Sequence, residues 1–161
     1  MDTSVIFIGL GILLIFVVPI IIISRQHSKK GNDFATRFAE LAKENGLQID
    51  KHDFWNRIYG IGIDSKAKKL LYVKKKSEDE EESFSVDLQK TASNKILKDS
   101  RIVKPTNAEV IDALALQLRF KDFKIPDRNL EFYNSAETLS LSNEFILINQ
   151  WAGIVDKIVK Y

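Results

Sequence analysis

Cysteine is absent from the 161 residues, which excludes disulfide scaffolds, thiolate zinc sites, iron–sulfur clusters and an N-terminal lipidated cysteine. Histidine is scarce, with two in the chain. A basic excess is missing too once the chain is divided at residue 30. The formal charge of +2 comes from 24 Lys and Arg against 22 Asp and Glu. Residues 1–30 hold Arg25, Lys29 and Lys30 against Asp2, so residues 31–161 carry 21 of each sign and are neutral. That balance is not the basic surface of a nucleic-acid binder, and no nucleic-acid partner is expected. The phosphate-loop, GxSxG and HExxH patterns are all missing from the sequence. No acid, base and nucleophile can therefore be named, and the chain is expected to be non-enzymatic, with no catalytic residue, metal ligand or cofactor.

What the sequence does contain is one long apolar run. Val5 to Ile23, VIFIGLGILLIFVVPIIII, is 19 residues without a charge or a side-chain hydrogen-bonding group. As a helix it would span roughly 28 Å, about one hydrocarbon core. A backbone in lipid must satisfy its own hydrogen bonds, so a single transmembrane helix is expected over 5–23, kinked near Pro19. A cleaved secretory signal would need a positive start, a shorter apolar stretch and a small-residue cleavage site, none of which fits. Arg25, Lys29 and Lys30 follow the run, in a basic juxtamembrane linker over 24–32. By the positive-inside rule they set the topology, with the N-terminus outside and the remainder cytoplasmic at the inner (plasma) membrane. Gly9 and Gly11 stand two apart and make no small-xxx-small face, so helix association is unsupported.

Residues 33–161 read as one cytoplasmic α+β domain. Phe34, Phe38, Leu41 and Ala42 recur at helical spacing over 33–45, and Gly46 can end that helix in the left-handed conformation. The period then changes. Strands are expected at Arg57 to Asp64, Leu70 to Val73, Ser83 to Leu88, around Asn94 to Val103, at Val110 to Phe120 and at Leu130 to Tyr133. Asp64 to Lys68 forms the turn after the first of these. A closing amphipathic helix is expected over 142–160, capped by Ser142, with Phe145, Ile148, Trp151, Ala152, Val155, Ile158 and Val159 on its apolar stripe.

Strands that open with Arg57-Ile58-Tyr59-Gly60-Ile61-Gly62-Ile63-Asp64, pair through Lys69-Leu70-Leu71-Tyr72-Val73 and end under a helix bearing Trp151 resemble a bacterial pleckstrin-homology-like domain. The resemblance covers 57–160 and implies an antiparallel split barrel or sheet closed by the C-terminal helix. It also implies a seventh strand beyond the six counted, between Asn94 and Lys104. In such domains the first hairpin turn commonly binds anionic lipid head groups, so Lys66, Lys68 and Lys69 are implied as lipid contacts. The rival fold is a plain α+β domain with helices on one antiparallel sheet.

Other candidates read as structural. Gly60-Ile61-Gly62 is half of a dinucleotide fingerprint, but Ser65 stands where the third glycine belongs and a strand follows where a helix must start. His52, flanked by Asp50 and Asp53, is expected in a polar surface turn. Glu78 to Glu82 reads as a solvated hairpin loop, partly neutralising Lys74, Lys75 and Lys76. It lies at the opposite end of the second strand from Lys66, Lys68 and Lys69, about 20 Å away at about 3.3 Å per residue. The functional expectation is a membrane-anchored binding or adaptor module whose partner is a protein or an anionic lipid. The alternative is a small accessory subunit of an inner-membrane complex.

Overall fold

A computed structural model describes residues 33–77, 80–138 and 140–159. The chain divides into two compact units, Met1–Glu40 and Leu41–Tyr161. Residues 33–44 are helical (α1), and Phe34, Phe38, Leu41 and Ala42, the expected stripe, are buried. The helix stops at Gly46, whose φ of 65° is left-handed. Gly46 N donates to Lys43 O at 2.9 Å and Leu47 N to Ala42 O at 2.8 Å, which satisfies carbonyls that the last turn leaves unpaired.

Among the described residues of the second unit, seven strands and a helix follow. Strands β1 (Lys51–Trp55), β2 (Tyr59–Asp64), β3 (Lys69–Lys75) and β4 (Glu81–Asp87) form one antiparallel sheet in that order. A single 3-10 turn, Leu88–Lys90, ends it. Strands β5 (Thr91–Val103), β6 (Ala108–Phe120) and β7 (Arg128–Asn134) form a second antiparallel sheet, and helix α2 (Glu144–Val159) closes the chain. The alternation of β6 is realised: Leu114, Leu116, Leu118 and Phe120 are buried, while the residues between them are not. One core joins both sheets and α2, through Tyr59, Ile61, Ile63, Leu70 and Tyr72, then Leu114, Leu116, Leu118, Leu130 and Phe132, then Ile148, Trp151 and Val155. Each large apolar side chain so buried stabilises the fold by about 1.5–3 kcal/mol.

These observations correct the expected fold class. The strands do not make a single sheet; they make two, because the chain leaves the first at the 3-10 turn, where Leu88 is fully buried. Among the described residues no helix is long and apolar enough to cross a membrane. The run Val5 to Ile23 lies outside the described residues, as do Arg25, Lys29 and Lys30.

The seventh strand is also elsewhere than expected. Asn94 to Lys104 holds no extra strand, only part of the 13-residue β5. The additional strand is β1, and its period of two is disguised. Asp53 occupies one of its two inward positions, half-buried beside Trp55, because Asp53 Oδ2 accepts a 2.9 Å hydrogen bond from Trp151 Nε1. A similar disguise operates in α2. At about 100° per residue, Glu144 lies roughly 20° from Trp151 around the helix and Phe145 roughly 120° away. Glu144 is accordingly buried and Phe145 is 45% exposed. Ser142 is not the cap; Leu147 N bonds Asn143 O at 2.9 Å, while Ser142 N donates to Glu144 Oε2 at 2.6 Å.

Candidate functional site

Of the three lysines singled out by sequence, Lys66 and Lys68 lie in the turn between β2 and β3, and Lys69 is the first residue of β3, paired with Asp64. Carboxylates build the turn. Asp64 Oδ1 accepts from Ala67 N and Asp64 Oδ2 from Gln48 N, both at 2.8 Å. Asp50 accepts from Ser65 N and Ser65 Oγ, both at 2.7 Å. These hydrogen bonds favour the ionised forms, so both carboxyls lie below the ordinary range. In Asp50 the Ser65 amide is the largest cause; in Asp64 it is the Ala67 amide, then that of Gln48. The acids are thus committed to backbone N–H groups, while Lys66 is exposed and Lys68 and Lys69 are half-exposed.

Because β1 precedes β2, this turn belongs to the second hairpin. The first hairpin turn, Asn56 to Ile58, is held by Asn56 and Arg57 at φ of 52° and 58°. The position carried over from the resemblance therefore does not coincide with the lysines.

Hydrogen bonds extend the lysine turn into a larger end of the domain. Lys68 O accepts from Leu88 N at 2.9 Å, and Lys90 O accepts from Lys121 N at 2.8 Å. Lys121 Nζ also donates to Gln89 O at 2.8 Å. The β6–β7 loop, 121–127, is thereby tied to the 3-10 turn and through it to Lys68. Asp122 folds the loop by accepting from Lys124 N at 2.9 Å, and Ile125 N bonds Asp122 O at 3.0 Å. At its tip Phe123 is 96% exposed, and Ile125 is 37% exposed. A shallow groove beside it is lined by Phe84, Val86, Lys90, Phe120, Ile125 and Arg128, with the Arg128 guanidinium 5.5 Å from the Phe84 ring centroid. This end thus combines outward cations with an exposed aromatic ring. The sequence reading missed the loop, although a lone Phe among charges in Lys121-Asp122-Phe123-Lys124 was a visible break in the β6 alternation.

A second polar constellation lies between the sheets. Lys74 Nζ donates to Glu131 Oε1 at 2.6 Å and to Glu137 Oε1 at 2.9 Å. Tyr59 Oη donates to Glu131 Oε1 at 2.6 Å, and Tyr72 Oη to Glu131 O at 2.8 Å. Burial raises the Tyr59 hydroxyl, and the bond to Glu131 raises it further. Burial would lower Lys74, but its two carboxylate bonds more than offset this and its pKa is raised. Burial would raise Glu131, yet Lys74 and Tyr59 hold it below the usual range. These bonds favour a protonated Tyr59, a charged Lys74 and an ionised Glu131, and the cluster joins β2, β3 and β7.

Gly60 and Gly62 lie in β2, and a turn and strand follow them. His52 lies in β1, not in a turn, with its ring 5.1 Å from Phe54. Its neighbours Asp50 and Asp53 are hydrogen-bonded to Ser65 and Trp151. Of the acidic run, Glu80 is exposed, and Glu81 and Glu82 begin β4; Lys76 lies 3.3 Å from Glu82. In comparison with known proteins the chain matches no family model, no curated protein and no solved structure.

Proposed function

We propose that this chain is a non-enzymatic binding module of the pleckstrin-homology-like kind. It works on the cytoplasmic side of the inner membrane and meets anionic lipid there. The observation that carries the reading is the single end of the domain at which Lys66 is exposed and Lys68 and Lys69 are half-exposed, while Asp50 and Asp64 accept from backbone amides. Cations near an anionic surface gain about 1 kcal/mol each within a Debye length. Attachment to the membrane is supported by the uncharged run Val5 to Ile23, and its orientation by Arg25, Lys29 and Lys30.

The full chain reconstituted with a photo-crosslinking phosphatidylglycerol tests this. Adducts are expected in 64–70 and should disappear when Lys66, Lys68 and Lys69 are all replaced by Glu. An unchanged adduct pattern would sink the lipid reading. A reporter fused after Tyr161 that works only in the cytoplasm tests orientation, and an inactive but membrane-bound fusion would reverse it.

A second reading, an accessory subunit of an inner-membrane protein complex, is favoured by a different feature. Strands β5 and β6 run on past β7 as a two-stranded arm, since β7 pairs only with Ala113 to Leu118. The arm exposes Ile102 (62%), Val103 and Val110. Co-purification in mild detergent separates the two: a stoichiometric set of partners supports the subunit, and a monomer supports the module.

A further inference from the structure

We infer that the β6–β7 loop is a bilayer anchor: Phe123 enters the interface of an anionic membrane while Lys66, Lys90 and Lys124 face its phosphates. The inference rests on the membrane-surface reading above and adds the insertion element and its mode.

Three observations converge. Phe123 is 96% exposed, although a Phe side chain in water forgoes the gain that burial would bring. A lone apolar side chain on a surface is ordinary by itself. Here, however, the loop is not slack: Asp122 holds it through Lys124 N at 2.9 Å and Ile125 N at 3.0 Å, so the ring is presented by a folded turn. Second, the loop is hydrogen-bonded through Lys121 and Lys90 to the segment whose Leu88 N bonds Lys68 O, which brings the ring to the end of the domain where Lys66, Lys90 and Lys124 are exposed. An aromatic residue at the head-group level on the same end as exposed lysines is the pattern of interfacial anchoring. Third, the chain enters the strands at this same end: Gln48 N bonds Asp64, and Asp50 bonds Ser65. A membrane attachment elsewhere in the chain would raise the local concentration of bilayer that this domain meets. A protein partner would be met as well by the β5–β6 arm, where the exposed residues are aliphatic; the mixture of ring and cations at the loop fits lipid better.

The absence of native cysteine permits a clean test. Phe123→Cys and, separately, Ile102→Cys are labelled with an environment-sensitive fluorophore in the full chain. Each is reconstituted in phosphatidylcholine vesicles with and without phosphatidylglycerol, some bearing spin-labelled acyl chains. The 123 label should shift to the blue and be quenched by the acyl spin label only with phosphatidylglycerol present, while the 102 label stays aqueous. Adding Lys66→Gln and Lys124→Gln should move the inserted-to-exposed ratio about fivefold per lysine, about 25-fold together, toward exposed. A chain that floats with vesicles while its 123 label remains aqueous at every composition overturns the anchor and assigns the loop to a protein partner. Insertion independent of lipid charge overturns the role of the lysines. A chain that floats with no vesicle overturns both the anchor and the membrane reading on which it rests.

Discussion

Lys74 of β3 and Glu131 of β7 meet at 2.6 Å across the two sheets, with the Lys74 side chain only 10% exposed and that of Glu131 29% exposed. The pair stitches together sheets that share no backbone ladder. Glu137 backs it up at 2.9 Å, so the ammonium has two carboxylates and the clasp is redundant. Loss of Glu131 alone is expected to cost about 1–2 kcal/mol, since Glu137 stays and both acids are partly wet. Loss of both acids leaves the cation buried and unpaired, at about 3–5 kcal/mol. Urea denaturation of Glu131→Ala, Glu137→Ala and the double variant measures this, and a double effect equal to the sum of the singles would refute the redundancy.

Stability against pH follows from the same groups. The folded-state pKa of Glu131 is depressed, as are those of Asp50 and Asp64. Their contribution is complete above the ordinary carboxyl range, near 4, and is lost as pH falls through the lower folded values. The pKa values of Lys74, Tyr59 and Tyr72 are raised. Their contribution is complete below about pH 10 and is lost as pH climbs toward the folded values. Thermal melts should therefore show a plateau with an acid and an alkaline limb. Tyr59→Phe is expected to flatten the alkaline limb and Glu131→Gln the acid one.

Trp151 should be the costliest single residue of α2. It is fully buried, and its Nε1 bonds Asp53 Oδ2 of β1. Trp151→Ala is expected to cost about 3–5 kcal/mol, and Trp151→Phe less, because most of the volume remains. Asp53→Ala should cost about 1–2 kcal/mol by orphaning the indole N–H. Equilibrium unfolding ranks the three variants, and an Asp53→Ala chain as stable as the parent would remove the hydrogen bond from the account.

Thr91 offers a gain. It is fully buried at the start of β5, and among the described residues its Oγ1 has no hydrogen-bond partner. Thr91→Val keeps the shape and removes an unsatisfied hydroxyl, so it should raise stability by about 1 kcal/mol. A lower melting temperature would show that the hydroxyl is hydrogen-bonded in solution.

Phe123 should be silent in folding. Replacement of a side chain 96% exposed, as in Phe123→Ser, is expected to change unfolding free energy by no more than about 0.5 kcal/mol. Phe132→Ala, in the core at full burial, should cost about 3–5 kcal/mol. A large loss from Phe123→Ser would place the ring in the fold and not at a surface.

The sequence by itself determined the elements whose apolar period is intact. Helix α1 and its Gly46 stop, the alternation of β6 and the lysine turn at 65–68 follow from spacing and turn chemistry, which are local. Tertiary structure alone decided what depends on distant partners. Asp53 passes as a strand residue only because Trp151, far along the chain, takes its carboxylate, and β1 was missed for that reason. Glu144 belongs on the buried side of α2 because Asn56 donates to it at 2.8 Å. The separation into two sheets was settled where Leu88 turns inward. The candidate site divides in the same way: three of its lysines were legible as a run, while Phe123 joined them only through hydrogen bonds linking Lys68 to Leu88 and Lys90 to Lys121. Periodicity reports which face a residue offers; long-range hydrogen bonds and burial decide what meets it.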